Sequence, residues 1–158
     1  MAARTPTLLI AALAVTATAG CRLISPKTRE YMRIELSSGV VTQNQVVPLD
    51  RSLPRARLGD RLWIHYTASL ADGSVVDSSR DLGVPVEFVL GDGALPLGLE
   101  QGLYGMRLRG ERLVTVPPQL AYGAQGIPGM VPPDSTIDFL VELVQIEQRP
   151  YRGPSRTE

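Results

Sequence analysis

The sequence predicts an α+β domain in which four or five antiparallel strands cover one short helix. Three observations predict it. Stretches of β-branched or alternating residues recur between turn residues. Only one segment in the body of the chain, Pro96–Met106, carries good helical spacing. The chain's 13 prolines and 15 glycines, concentrated from Gly83 onward, favour turns and short strands over long helices.

Val40 to Val47 is rich in β-branched residues and reads as the first strand. Pro48 to Asp60 is polar and Pro/Arg-rich, a connection ending at Gly59-Asp60. Leu62 to Leu70 is the clearest strand: Leu62, Ile64, Tyr66 and Ala68 alternate with Trp63, His65, Thr67 and Ser69. Asp72-Gly73 marks a hairpin turn, and Val75 to Asp77 begins the return. Ser78 to Pro85 is a loop or bulge, and Val86 to Leu90 is another strand. In Pro96–Met106, Leu99, Leu103 and Met106 fall on one face at i, i+4, i+7. Arg112 to Val116 is a strand stopped by Pro117-Pro118. Gln119 to Ser135 is a long Gly/Pro-rich loop. Thr136 to Ile146 closes the sheet, with Ile137, Phe139, Val141 and Leu143 alternating inward. A sheet of this kind must bury one face on the single helix.

Composition removes several functions. The chain of 158 residues suits one domain with extensions. Sixteen basic residues balance sixteen acidic ones, so no strong overall field draws nucleic acid or anionic lipid. The lone cysteine, Cys21, allows no intrachain disulfide, and the lone histidine, His65, has no Cys or His neighbour. A metal centre built on His or Cys is excluded, and no carboxylate motif suggests another.

The N-terminal residues 1–20 read as a secretory signal. Arg4 precedes an apolar run, Leu8 to Ala19, broken only by Thr16 and Thr18. Twelve helical residues span about 18 Å, too short for a bilayer core of roughly 30 Å. Thr18-Ala19-Gly20-Cys21 resembles a bacterial lipobox, in which the cysteine receives a lipid and the signal is cut just before it. Thr18 stands where that motif usually has leucine; the alternative is an ordinary signal cut after Ala19. The expectation is a lipid on Cys21 that holds the protein to a membrane of the cell envelope. Residues 21–38 read as a tether and 149–158 as a polar tail, leaving the domain at 39–148.

Four stretches of that domain resemble the FKBP-type peptidyl-prolyl cis-trans isomerases: Ile64-His65-Tyr66-Thr67; Val76-Asp77-Ser78-Ser79-Arg80; Gly98-Leu99-Glu100-Gln101-Gly102-Leu103 with Gly105-Met106; and Ala121-Tyr122-Gly123-Ala124-Gln125-Gly126 followed by Ile127-Pro128-Gly129-Met130-Val131-Pro132-Pro133. The resemblance runs without large gaps from about Gly59 to Glu147, in family order and spacing. It implies an FKBP-like half-wrapped antiparallel β-sheet packed around one short α-helix, and an apolar hollow between sheet, helix and a flap loop. No cofactor is implied. Partners would be proline-containing segments of folding proteins, and the chain is expected to act as a monomer.

Carried over by position, the resemblance implies a catalytic set of Tyr66, Asp77, Phe88, Leu99, Tyr122 and Phe139. Val76, Val86, Leu95, Pro96, Met130 and Val131 would complete the substrate-binding lining. Leu99 would be the floor under a prolyl ring and Phe88, Phe139 and Tyr66 its walls. Tyr122 would offer its hydroxyl to a substrate carbonyl, and Asp77 would accept a hydrogen bond or orient Tyr66. Each has a plainer reading too: Phe88 and Phe139 as core, Asp77 as a turn cap. The sequence departs from the family pattern at three positions. Leu99 replaces a pocket tryptophan and Val76 a phenylalanine. Pro96 replaces an isoleucine whose backbone N–H binds substrate, and proline has no such donor. These departures predict weakened turnover and weakened macrolide binding, and they keep open a second reading as a low-activity binding module.

Overall fold

A computed structural model describes residues 33–149. The chain forms β1 (Arg33–Glu35), β2 (Val41–Val46), β3 (Arg61–Leu70), β4 (Val75–Ser78), α1 (Ser79–Leu82), β5 (Val86–Val89), α2 (Leu97–Leu103), β6 (Glu111–Val116) and β7 (Ile137–Glu147). All strand pairs are antiparallel, in the order β1-β2-β6-β7-β3-β4, with β5 also on β3. The signal segment 1–20, Cys21, most of the tether and residues 150–158 lie outside the described residues.

β3 organises the sheet. Along one edge it pairs with β7 from Arg61↔Glu147 to Leu70↔Ile137. Its other edge is shared: β5 takes Arg61 to Ile64, and β4 takes Thr67 to Ser69. Period-two alternation sets the buried face. Leu62, Ile64 and Ala68 of β3 and Ile137, Phe139, Val141 and Leu143 of β7 are buried, together with Val114 and Val116 of β6.

The helix reaches this face because two of its positions have no side chain. A Cβ on Gly98 would lie 2.3 Å from Cγ1 of Val116, and one on Gly102 would lie 2.3 Å from Cγ1 of Val114. With glycine at both, α2 settles against β6 and buries Leu99 and Leu103, while Met106 follows in the turn beyond. The helix is shorter than the sequence suggests, because Pro96 serves as its N-cap and Tyr104 ends it.

Two boundaries need correction. Residues 33–35, read as tether, are the edge strand of the sheet, paired Arg33↔Gln43 to Glu35↔Val41. The turn between β1 and β2 closes through Leu36 N–H to Val40 O (2.8 Å), with Gly39 at a φ of 85°. At the other end Arg149, read as the start of the tail, donates its N–H to the buried Asp60 carboxylate at 3.2 Å. The expected loop 78–85 also contains α1, capped by the Ser78 hydroxyl, which accepts from Arg80 N–H, and by the left-handed Gly83.

Candidate functional site

The residues assigned to the site come from β3, β4, β5, α2 with the segment before it, the flap 119–135 and β7. Tyr66 projects from the buried face of β3, two residues beyond Ile64. Its hydroxyl donates to Oδ2 of Asp77 on β4, while Oδ1 of Asp77 accepts from Ser78 N–H at 2.9 Å. Asp77 is thus committed to holding Tyr66, which selects the orienting role among those expected. The Tyr66 ring packs on Phe139 with centroids 6.3 Å apart and planes at 58°, a tilted pairing that suits the opposed edge and face charges of aromatic rings.

Tyr122 turns toward the same place. Its hydroxyl is raised above the ordinary phenol range by burial and then by the negative charge of Asp77. Tyr66 is raised further, by burial first, then by its hydrogen bond to Asp77 and that carboxylate's charge. Both phenols therefore keep their protons at neutral pH. Tyr66 spends its proton on Asp77. The Tyr122 hydroxyl has no hydrogen-bond partner among the described residues and remains a donor for a carbonyl arriving from outside.

The flap presents Tyr122 through its own backbone. Gly126 N–H donates to Tyr122 O at 3.1 Å, and Gly123 N–H donates to Pro118 O at 2.8 Å. Ile127 and Val131 exchange two hydrogen bonds, each 2.8 Å. Gly126 has a φ of 59°, and a Cβ there would lie 2.2 Å from Val131 O. Only glycine fits this approach of flap to flap.

The other assigned residues divide by depth. Tyr66, Val76, Val86, Leu95 and Tyr122 are half-buried hydrophobics resting on the core, and so present surface. Pro96 is also half-buried. Leu99 is 1% exposed and Phe88 5%. Both belong to the core on which these half-buried side chains pack, which leaves them little free surface. Phe139, at 3% exposed, also belongs to it, packed on the Tyr66 ring, and Val131, at 4%, is buried with its backbone paired to Ile127. Met130 is exposed at the rim. The physical reason at Leu99 is length. A branched four-carbon side chain on a helix drawn close by two glycines ends inside the core.

Two contributors escaped the sequence reading of the site. Ile127, in the flap, is half-buried against the core, as Tyr66, Val76, Val86, Leu95 and Tyr122 are. Ser79, 2% exposed, lies under Tyr66: its hydroxyl accepts from Tyr66 N–H at 2.9 Å and stands 3.3 Å from Nδ1 of His65. The helix-capping pattern Ser78-Ser79 was the available signal, but nothing local marks Ser79 as reaching back to β3.

Pro96 stands as the N-cap of α2. The residue has no N–H, and its carbonyl is already used by Leu99 N–H (2.9 Å) and Glu100 N–H (3.1 Å). Glu100, buried, fixes the preceding loop by accepting from Gly93 N–H at 3.1 Å.

Half-buried apolar side chains, one phenol bonded to a carboxylate and a second phenol with no partner among the described residues thus belong to one stretch of the fold. The family model for FKBP-type peptidyl-prolyl cis-trans isomerase matches residues 54–144. The chain is 45% identical over 127 residues to FK506-binding protein 2 of Candida glabrata, covering 80% of this chain and 88% of that one. It is 48% identical over 93 residues to FK506-binding protein 2 of Yarrowia lipolytica, covering 59% of this chain and 65% of the relative's length. The crystal structure of FkpA from Escherichia coli superposes with a TM-score of 0.65 at 33% identity, over 75% of this chain and 53% of that one. The chain belongs to the FKBP-type peptidyl-prolyl cis-trans isomerase family.

Proposed function

We propose that this protein accelerates rotation about X-Pro bonds in proteins folding in a bacterial cell envelope. The observation that carries the catalytic part is the meeting of Tyr66, Asp77 and Tyr122 at one apolar hollow. An X-Pro bond turns against a barrier of about 18–20 kcal/mol set by amide resonance, and uncatalysed exchange takes tens to hundreds of seconds. The twisted amide carries less separated charge than the planar one, so an apolar surround favours it relatively; this is a desolvation effect. Val76, Val86, Leu95 and the Tyr66 ring would hold the prolyl ring. Tyr122 O–H would fix a neighbouring carbonyl, which keeps the bond aligned for rotation.

A second reading, a binding module with little turnover, is favoured by one feature: Pro96 supplies no N–H where a substrate carbonyl would be held. A protease-coupled assay on a Leu-Pro peptide separates the two. Turnover above buffer at micromolar protein supports the enzyme. Peptide binding with a rate equal to buffer supports the module. Pro96→Ile should raise kcat/KM about two- to tenfold, since one added hydrogen bond contributes ~0.5–1.5 kcal/mol. An unchanged rate would remove the account of Pro96.

The envelope location rests on the apolar run Leu8 to Ala19 followed by Cys21. Among the described residues no helix is long and apolar enough to cross a membrane. A lipid on Cys21 would instead supply the anchor, since several acyl chains together hold a protein stably at a bilayer. Cys21→Ser should move the protein from the membrane fraction to the soluble fraction on fractionation. Retention in the membrane fraction would show that something else holds it.

A further inference from the structure

A second cavity, of about 500 Å³, lies away from the prolyl site, between the 47–55 connection and the turn after α2. Four arginines line it: Arg51, Arg55, Arg107 and Arg112. Among the described residues none of the four makes an ion pair. Asp50, beside Arg51 in the chain, is an exposed side chain that accepts from both Ser52 N–H and Ser52 Oγ and senses Arg107 and Arg109 only at a distance.

Like charges are held together here by the backbone. Arg55 and Arg107 stand directly opposite each other in a short antiparallel bridge, a placement that repels when both residues are cations. Nη1 of Arg107 donates to Arg51 O (2.6 Å) and Leu53 O (3.1 Å), and Nη1 of Arg55 donates to Gly105 O (3.1 Å). Arg112 donates from Nε to Asn44 Oδ1 (2.8 Å) and from Nη1 to Gly102 O (2.6 Å) and Tyr104 O (3.2 Å). Its guanidinium is pushed down to about 10 by burial and by the nearby Arg55 charge. Carbonyls thus fix the Nη1 arm of three guanidiniums, and Asn44 also takes the Nε–H of Arg112, while Nη2 of all three stays uncommitted among the described residues.

We propose that this cavity is a binding site for a phosphate group. A guanidinium fork matches the paired oxygens of phosphate, and several forks together suit a compact polyvalent anion. An extended acidic peptide would instead spread its charges along the chain at roughly 3.3 Å per residue, where a phosphate gathers them on one group. The exposed aliphatic side chains Val47 and Leu49 at the rim admit a phospholipid headgroup as readily as a free phosphate, and the two sources share this chemistry.

Calorimetric titration of the full chain with inorganic phosphate at low salt should give saturable one-to-one binding. The double variant Arg51→Gln/Arg55→Gln should weaken it at least tenfold, and Arg107→Gln should weaken it too, with prolyl turnover unchanged. In parallel, co-sedimentation should compare phosphatidylglycerol with phosphatidylcholine vesicles. Binding of inorganic phosphate without a vesicle preference supports a free phosphate as ligand. A phosphatidylglycerol preference that the double variant loses supports the headgroup. Absence of both responses, responses equal in the variants, or a response only to a glutamate-rich peptide would overturn the proposal.

Discussion

Gly126→Ala should lower kcat/KM by roughly 10- to 100-fold while leaving the domain folded. The new Cβ would lie 2.2 Å from Val131 O and 2.8 Å from the carbonyl carbon of Pro132, both backbone atoms that cannot rotate away. The residue would also sit at a φ of 59°, where an L side chain costs about 1–2 kcal/mol. The chain can escape only by breaking the Ile127–Val131 bridge or the Gly126 N–H bond to Tyr122 O, and either shifts Tyr122. A displacement of about 1 Å in a positioning group can cost ~10²-fold in rate. Gly129→Ala is the matched control. Its φ is 77°, but nothing lies within 4 Å of the added Cβ, so only the conformational cost remains. Measured kcat/KM should separate the two variants clearly, while their melting temperatures stay close. Equal rates would show that the flap does not place Tyr122.

Leu99→Ala should act chiefly on stability. With 1% of its surface exposed, Leu99 loses core contacts rather than substrate contacts. Truncating a buried leucine costs about 2–5 kcal/mol, the larger values where the surroundings cannot collapse. Collapse is restricted here, because Gly98 and Gly102 already bring α2 against Val116 and Val114. At roughly 3–5 °C per kcal/mol for a domain of this size, a loss of about 4 kcal/mol should lower the melting temperature by about 12–20 °C. A floor residue would behave differently, raising KM at nearly constant melting temperature. Thermal denaturation with a KM measurement well below the transition distinguishes these outcomes.

How much was legible depended on whether burial leaves a periodic mark. β3 and β7 could be read because one face is buried along their length, so Leu62, Ile64, Ile137, Phe139, Val141 and Leu143 alternate with polar neighbours. The face of α2 was legible through Leu99, Leu103 and Met106. β1 was not, because its three residues are all exposed and its pairing with β2 leaves no apolar rhythm. Within the site, the chemistry of Tyr66, Asp77 and Tyr122 could be carried over from the motifs, but depth could not. Val86 and Phe88 share one face of β5, and which of them lies deeper is set by its pairing with β3 at Ile64↔Val86 and Leu62↔Phe88, a register between strands that are separate in the chain. Ser79 was missed for the same reason, since its partner is the backbone of Tyr66, 13 residues earlier. The arginine cavity was hidden by a balanced overall charge, which carries no information about where like charges gather.

The central claim is that Tyr122, half-buried near Asp77 and without a hydrogen-bond partner among the described residues, helps turn a prolyl bond. Exchange spectroscopy by NMR on a Leu-Pro peptide, with native protein and with Tyr122→Phe, tests it most directly. The account predicts cis–trans cross-peaks at millisecond-to-second mixing times with the native chain, and a clear loss of exchange rate in the variant at an unchanged melting temperature. Equal exchange in both proteins, or none above the free peptide with either, would contradict it.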